Sequence, residues 1–458
     1  MKESIAIAGG GLVGSILAAY LARQYDVTVY ERRGDIRQQS GSAGRSINLI
    51  MTSRGLKALE GLGLGEAARN ISVPVFGRMM HPQEMDQQLS YQPYGRDPSE
   101  CNFSVSRGEL NKLLLNQAEK AGAKLVFNSK IEAVDFQNNT LTTVQQVGGS
   151  EESHTLSVDH LLGADGAGSA IRRLMSDQPG FQSSVEPLGS SYKELNIPAE
   201  VSRKYNLDVK ALHIWPRKSI MLMALPNVDS SFTLTLYMPD KGEVSFDSVR
   251  TNEEVQELFD TYFYDALPLI PNLYEDFAAN PVGQLATVRC KPWNVGGFST
   301  LVGDAAHAIV PFFGQGMNCG FEDCTVLMEL LNNHQDWTEV LDKFSELRKP
   351  NADAIATMSL ENFVEMSDLV GEPSFLLRKK VEHKIESTWP QEYRSRYALV
   401  AYKLTPYAKA FEVGKMQSLV LDELCDGLEN VDDLDMNKAH KLIKDKLGSV
   451  FKELEQQA

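Results

Sequence analysis

The chain has 458 residues, 43% of them hydrophobic and 23% charged, an ordinary balance for a soluble globular protein of two or three domains. Its 45 basic and 61 acidic residues leave a net charge of −16, which argues against nucleic acid and anionic membrane surfaces as partners. Five scattered cysteines without a C-x-x-C pair and eight histidines without a ligand cluster argue against a disulfide framework and a metal site.

The chain opens on the apolar run Ile5-Ala6-Ile7-Ala8, predicted as a strand. Gly9-Gly10-Gly11-Leu12-Val13-Gly14 follows, then a helical segment from Ser15 to Arg23 and a second strand, Val27-Thr28-Val29-Tyr30, ending in Glu31. Strand, G-x-G-x-x-G turn, helix, strand and acid stand in the order of a dinucleotide-binding βαβ unit. Gly9 permits the tight turn, Gly11 lets the backbone approach a pyrophosphate, and Gly14 lets helix and strand pack closely. The pyrophosphate meets the helix N-terminus, and Glu31 accepts hydrogen bonds from a ribose. Ser4 to Ala22 carries no charge over 19 residues, which also suits a signal peptide or a membrane span. Four interrupting glycines and the following strand favour the βαβ unit.

Residues 76–99, rich in Pro, Gln and Tyr, read as an excursion from that core. Ser104 to Ala121 is predicted as a helix with Leu110, Leu113, Leu114 and Ala118 on one side. Leu125–Phe127 and Thr140–Val147 are predicted strands. The alternating runs Ala211–Trp215, Ser219–Leu225 and Phe232–Tyr237 predict a mostly antiparallel sheet with its own layer. Phe298–Val302 is a further strand, and beyond about residue 317 the chain is largely helical. Asn430 to Ala458 is amphipathic without a long apolar run. A nucleotide-binding core visited three times, with an inserted sheet and an added helical region, accounts for this order.

Two further motifs carry chemistry. In Leu162-Gly163-Ala164-Asp165-Gly166-Ala167-Gly168 glycines flank an acid, and a basic residue, Arg172, follows seven positions after it. In Gly303-Asp304-Ala305-Ala306-His307 a strand ends on an acid suited to a polyol hydroxyl. The loop Gly314-Gln315-Gly316 then brings backbone N–H groups toward a flat ring, and the helix starting near Met317 aims its positive end there. His307 reads as a packing or hydrogen-bonding residue, Cys319 and Cys324 as helix interior, and His213 and Trp215 as packing within the inserted sheet.

The three motifs, in this order and at these separations, resemble the class A flavoprotein monooxygenases of the para-hydroxybenzoate hydroxylase fold. The segments Gly44-Arg45-Ser46-Ile47-Asn48-Leu49, Phe76-Gly77-Arg78-Met79, Pro93-Tyr94-Gly95-Arg96, Tyr192-Lys193-Glu194-Leu195, His213-Ile214-Trp215-Pro216 and Leu360-Glu361-Asn362-Phe363-Val364-Glu365-Met366 resemble the kynurenine 3-monooxygenase family within that class. The resemblance implies an α/β fold: a Rossmann-like FAD-binding domain (1–75, 100–180 and 286–350) interleaved with a mostly antiparallel β-sheet substrate domain (76–99 and 181–285). A helical C-terminal region (351–458) completes it.

It further implies tightly bound FAD, with NADPH as co-substrate. FAD contacts are expected from Gly9, Gly11, Val13, Gly14, Tyr30, Glu31, Arg32, Arg33, Arg45, Ile50, Arg107, Ile131, Asp165, Asp304, Gly314, Gly316, Met317 and Asn318. Substrate contacts are expected from Arg78, Tyr94, Asn362 and Tyr397, with Phe312 and Phe313 walling the ring and excluding water. The implied reaction converts L-kynurenine to 3-hydroxykynurenine with NADPH and O2, through a C4a-hydroperoxyflavin. The guanidinium of Arg78 matches the substrate carboxylate in shape and charge. The aniline nitrogen of the substrate activates the ring position beside it, so no catalytic acid–base residue is assigned. A hydroxylase of another aromatic acid and a non-catalytic FAD-binding scaffold are the alternatives. The resemblance and composition lead to the expectation of a cytoplasmic protein without a membrane anchor.

Overall fold

The computed structural model describes residues 2–38, 48–83, 88–366 and 372–457. The predicted βαβ unit is present as strand Ser4–Ala8, helix Leu12–Leu21 and strand Asp26–Tyr30. These strands belong to a six-stranded sheet. Its order is Asn294–Val295, Ser299–Leu301, His160–Gly163, Ser4–Ala8, Asp26–Tyr30 and Lys124–Val126. All neighbouring pairs are parallel except Asn294–Val295 with Ser299–Leu301. Ile5, Ala6 and Ile7 of the central strand are at most 1% exposed. Burial on both faces is what a parallel sheet covered by helices requires.

The inserted runs form a seven-stranded sheet, ordered Gly283–Lys291, Gln182–Ile197, Phe232–Pro239, Ile220–Pro226, Ala211–Arg217, Gly77–Met80 and Ser90–Pro93. It is antiparallel save for Ala211–Arg217 with Gly77–Met80. The excursion at 76–99 therefore supplies two strands at one edge, and the sheet continues past residue 285 at the other. His213 and Trp215 stay within this layer, where His81 stacks on Trp215 at 3.9 Å.

Helix Arg107–Ala121 begins later than its apolar pattern suggests, because Asn102–Ser106 is a strand between Asn48–Met51 and Ser72–Val75. Ser106 caps the helix by accepting from the Glu109 N–H. The side that packs is Leu110, Leu114, Leu115 and Ala118, with Leu113 only half-buried. Beyond Gly316 the chain is helical, including Gly316–Asn333, Trp337–Val364, Tyr407–Cys425 and Met436–Gln457. Among the described residues no helix is long and apolar enough to cross a membrane.

Candidate functional site

All three motifs leave the six-stranded sheet at its carboxyl edge, where ligands of open α/β sheets bind. Gly9 follows strand Ser4–Ala8, Glu31 follows Asp26–Tyr30, Asp165 follows His160–Gly163, and Gly303-Asp304 follow Ser299–Leu301. Their turns are tied together. Gly9 N–H donates to the Tyr30 carbonyl at 2.8 Å, Ala164 N–H to Ala8 at 2.9 Å, and Val302 N–H to Gly163 at 2.9 Å.

The glycines differ in what forbids a side chain. At Gly9 φ is +98°, and a Cβ would lie 2.6 Å from the Ala164 carbonyl oxygen. At Gly14 it would lie 1.9 Å from the Gly9 oxygen. At Gly11 a Cβ would meet nothing within 4 Å. The protein itself does not need a glycine there; a ligand backed against the turn does. Gly11 is also the N-cap of helix Leu12–Leu21, with no side-chain cap on the free N–H groups. An open cradle at an uncapped helix N-terminus fits a pyrophosphate.

Glu31 receives Gly10 N–H at 2.8 Å and Arg33 N–H at 2.9 Å, one on each oxygen, and each oxygen keeps a lone pair for a ribose. Arg32 and Arg33 are exposed beside it, and Tyr30 and Val13 are half-buried. Arg107 is exposed one turn before Asn111, whose amide donates to the Gly10 carbonyl at 3.2 Å. Ile131 is 6% exposed in strand Ser129–Asp135, its side chain turned into the core. Arg45 lies outside the described residues.

One oxygen of Asp165 accepts from Ala170 N–H at 2.6 Å, while the other is buried without a partner. An orphaned carboxylate oxygen at this edge suits a hydroxyl or water of a bound cofactor. Asp304 is exposed at the start of the short helix Asp304–His307. Arg172 joins the two acid motifs by donating to the carbonyls of Ala305 at 2.8 Å and Ala167 at 2.5 Å.

The ring-facing loop turns at Gly314, with φ +68°, and the helix starts at Gly316. The N–H groups of Gly316, Met317 and Asn318 occupy its free end; the Cys319 N–H makes the first intrahelical bond, to Gln315 at 2.8 Å. The Asn318 amide is spent on backbone, donating to Ile50 and Gly314 and accepting from Thr52 N–H at 2.9 Å. It clamps strand Asn48–Met51 to the loop and leaves its N–H for a ligand. These residues fit FAD: a dinucleotide cradle, a hydroxyl acceptor and a ring of N–H donors lie along one edge. A Gly11→Val variant is expected to keep the apoprotein fold and lose flavin about tenfold or more in affinity, since overpacking costs roughly 1–3 kcal/mol. The ratio of 450 to 280 nm absorbance after purification checks this.

A second constellation lies on the seven-stranded sheet. Arg78 of strand Gly77–Met80 has its guanidinium carbon 5.2 Å from the Tyr94 ring and 5.7 Å from the Tyr397 ring. Those rings stack at 5.4 Å and 14°, and Phe313 stacks on the other neighbour position of Tyr397 at 5.6 Å. Phe312 contacts Tyr237 and Phe363, with centroids 5.1 and 4.6 Å away. The Asn362 amide nitrogen donates to the Phe312 carbonyl at 2.5 Å, leaving its oxygen to accept from a ligand. Arg78 and Tyr94 are close enough for an Nε–OH contact at 3.4 Å. Arg78 is half-buried, and among the described residues no carboxylate forms an ion pair with it. Burial alone would lower its pKa, and the tyrosines and Glu365 outweigh that to raise it. Arg78, Tyr94, Tyr397 and Phe313 thus form one contact group and Phe312, Phe363 and Asn362 another, from chain positions as distant as 78 and 397.

Sequence reasoning missed the groups behind these. Asn102 donates to the Tyr397 hydroxyl at 2.7 Å. Asp323 accepts from Gly303 N–H at 3.0 Å, His307 Nε2 at 2.5 Å and Arg348 Nε at 2.7 Å. Arg348 also reaches Glu322 at 2.6 Å, and Glu322 pairs with the buried Arg54. A surface depression beside His160, Phe298 and Trp337 lies at the opposite, amino ends of the parallel strands and is not part of this site.

Residues 2–359 match the model of a family described as an FAD binding domain. A kynurenine 3-monooxygenase of Myxococcus xanthus is 44% identical over 99% of this chain and 97% of its own length. That of Flavobacterium johnsoniae is 44% identical over 93% and 95%. In structure, a tetrameric 2-methyl-3-hydroxypyridine-5-carboxylic acid oxygenase superposes with a TM-score of 0.66 at 21% identity, over 82% of this chain and 95% of that one. With both the cofactor edge and the cationic aromatic recess in place, the chain belongs to the FAD-binding flavoproteins and, within them, to the kynurenine 3-monooxygenase family.

Proposed function

We propose that this protein hydroxylates L-kynurenine to 3-hydroxykynurenine, consuming NADPH and O2 on tightly bound FAD. The observation that carries the substrate assignment is Arg78, a half-buried guanidinium that makes no ion pair among the described residues and is flanked by Tyr94 and Tyr397. A guanidinium that the protein holds charged, yet leaves without an ion pair, keeps its planar fork for an anionic ligand. Arg78 takes the substrate carboxylate, the two tyrosines flank it with hydroxyls, and the Asn362 oxygen accepts from the ammonium. Phe312, Phe313, Tyr237 and Phe363 hold the aryl ring and keep water out. In this division residues 1–75, 100–180 and 286–350 hold the cofactor and lend Phe312 and Phe313 to the substrate, 76–99 and 181–285 supply Arg78, Tyr94 and Tyr237, and 351–458 supply Asn362, Phe363 and Tyr397.

Bound along the carboxyl edge by the glycine turn, Glu31, Asp165, Asp304 and the 314–318 loop, FAD supplies hydride acceptance from NADPH and activation of O2. The chain contributes orientation and exclusion of water rather than a strong base, because the aniline nitrogen already directs attack to the adjacent carbon. Five free cysteines and a net charge of −16 support a cytoplasmic setting.

The product assay tests this. The purified yellow holoenzyme with NADPH and O2 is expected to form 3-hydroxykynurenine, and kynurenine is expected to accelerate flavin reduction. Acceleration by another aromatic acid and not by kynurenine overturns the substrate assignment. A colourless protein that FAD cannot reconstitute overturns the enzyme.

A further inference from the structure

Asn102 is 0% exposed on strand Asn102–Ser106, at the register position opposite Val75. Its amide nitrogen donates to the Tyr397 hydroxyl at 2.7 Å, and its amide oxygen is buried without a partner. A phenol has one proton and two lone pairs. An oxygen already receiving an N–H keeps its own proton to give elsewhere. Within the protein the proton finds little competition. The Tyr402 ring stands edge-on to Tyr397 at 6.1 Å, and its hydroxyl, like the Asn102 amide, favours the Tyr397 oxygen as an acceptor rather than taking its proton. The Tyr397 ring cannot swing away, because it is stacked against Tyr94 at 5.4 Å and Phe313 at 5.6 Å. Burial pushes the Tyr397 phenol well above its usual range, so it remains a proton donor at working pH.

We propose that Asn102 is a positioning residue that fixes the polarity of the Tyr397 hydroxyl, presenting its proton to an acceptor held by Arg78. The recess thereby selects a carboxylate at that point and rejects a group that must itself donate. The inference rests on the substrate reading above. Asn102 acts through Tyr397 and touches neither substrate nor cofactor.

A double-mutant cycle on the holoenzyme tests it. The L-kynurenine dissociation constant is read anaerobically, without NADPH, from the change in flavin absorbance. Asn102→Ala is expected to weaken binding about five- to tenfold, the equivalent of roughly one hydrogen bond, and to leave kcat at saturation unchanged. Tyr397→Phe weakens binding at least as much, and adding Asn102→Ala to it changes the constant less than about twofold. The isosteric Asn102→Asp, which draws the Tyr397 proton to itself, takes the place of alanine if that variant does not fold, and is expected to bind more weakly still. An equal loss in both backgrounds marks Asn102 as merely structural and overturns the proposal, as does no loss in the wild-type background. Failure of the unmodified enzyme to bind kynurenine overturns the substrate reading instead.

Discussion

Replacing Asp323 by alanine is expected to cost about 3–5 kcal/mol of folding free energy, the usual effect of breaking a buried ion pair from one side. Asp323 is 0% exposed and serves three donors, the Gly303 N–H, His307 and Arg348. Its loss leaves the buried His307 without a carboxylate partner and Arg348 with Glu322 alone, which already pairs with Arg54. Asp323→Asn keeps an acceptor for Gly303 and loses only the charge, so the two variants separate geometry from electrostatics. Urea midpoints measure both, and a loss below about 1 kcal/mol for the alanine variant would remove the network from the stabilising core.

The same pair has a signed pH dependence. Burial alone would raise the Asp323 carboxyl, but His307 and Arg348 outweigh it and hold it below the usual carboxylate range. Burial alone would lower His307, but Asp323 and Cys319 beside it raise it well above the ordinary imidazole value. The Asp323 contribution is present above the unfolded carboxylate value and is lost as pH falls through the depressed one. The His307 contribution is present below the unfolded imidazole value and is lost as pH rises through the raised one. The wild-type advantage over Asp323→Asn is therefore expected to be greatest between about pH 4 and 6.5. An advantage that keeps growing above that window contradicts the pairing.

Arg78→Ala is expected to act chiefly on binding rather than on folding. The lost charged hydrogen bonds amount to about 1.5–3 kcal/mol, so KM for kynurenine rises roughly tenfold to a hundredfold. FAD stays bound, because Arg78 belongs to the seven-stranded sheet and not to the carboxyl edge of the other. The tyrosines and Glu365 already favour the Arg78 charge in the ligand-free protein, so Tm is expected to fall modestly, the folding free energy lost being smaller than the loss in kynurenine binding. Arg78→Lys keeps the charge and loses the planar fork, and rescues only part of the affinity. An unchanged KM for the alanine variant removes Arg78 from the site.

The cofactor edge was legible because each of its motifs is contiguous: strand, turn and acid follow one another within about 30 residues for the first and within about a dozen for the two later ones. Gly9, Asp165 and Asp304 could be read individually and needed only the parallel sheet to bring them together. The substrate recess is the reverse case. Nothing local marks Arg78 or Tyr397, and only family resemblance set them on one list. Asn102 and Asp323 stayed invisible for a related reason. A polar residue in a strand or helix reads as surface, and both are buried by partners on other elements that no local pattern announces. Asp323 reaches Arg348 on the next helix, and Asn102 reaches Tyr397 across 295 positions. The late start of helix Arg107–Ala121 has the same cause, since residues 102–106 extend only because two partner strands flank them.

The order of strands has a consequence for biosynthesis. Ser4–Ala8 is flanked by Asp26–Tyr30 and His160–Gly163, and Ser299–Leu301 joins only beyond the latter. At about 5–20 residues per second, the glycine turn leaves the ribosome roughly 15–60 s before its Asp304 partner exists. Throughout that interval there is no complete flavin cradle, and for its second half strand His160–Gly163 leaves a raw apolar edge at Leu161 and Leu162. The cofactor can lock the edge only once residues through 318 exist, so flavin capture comes too late to guide early folding and can precede completion of the C-terminal helices.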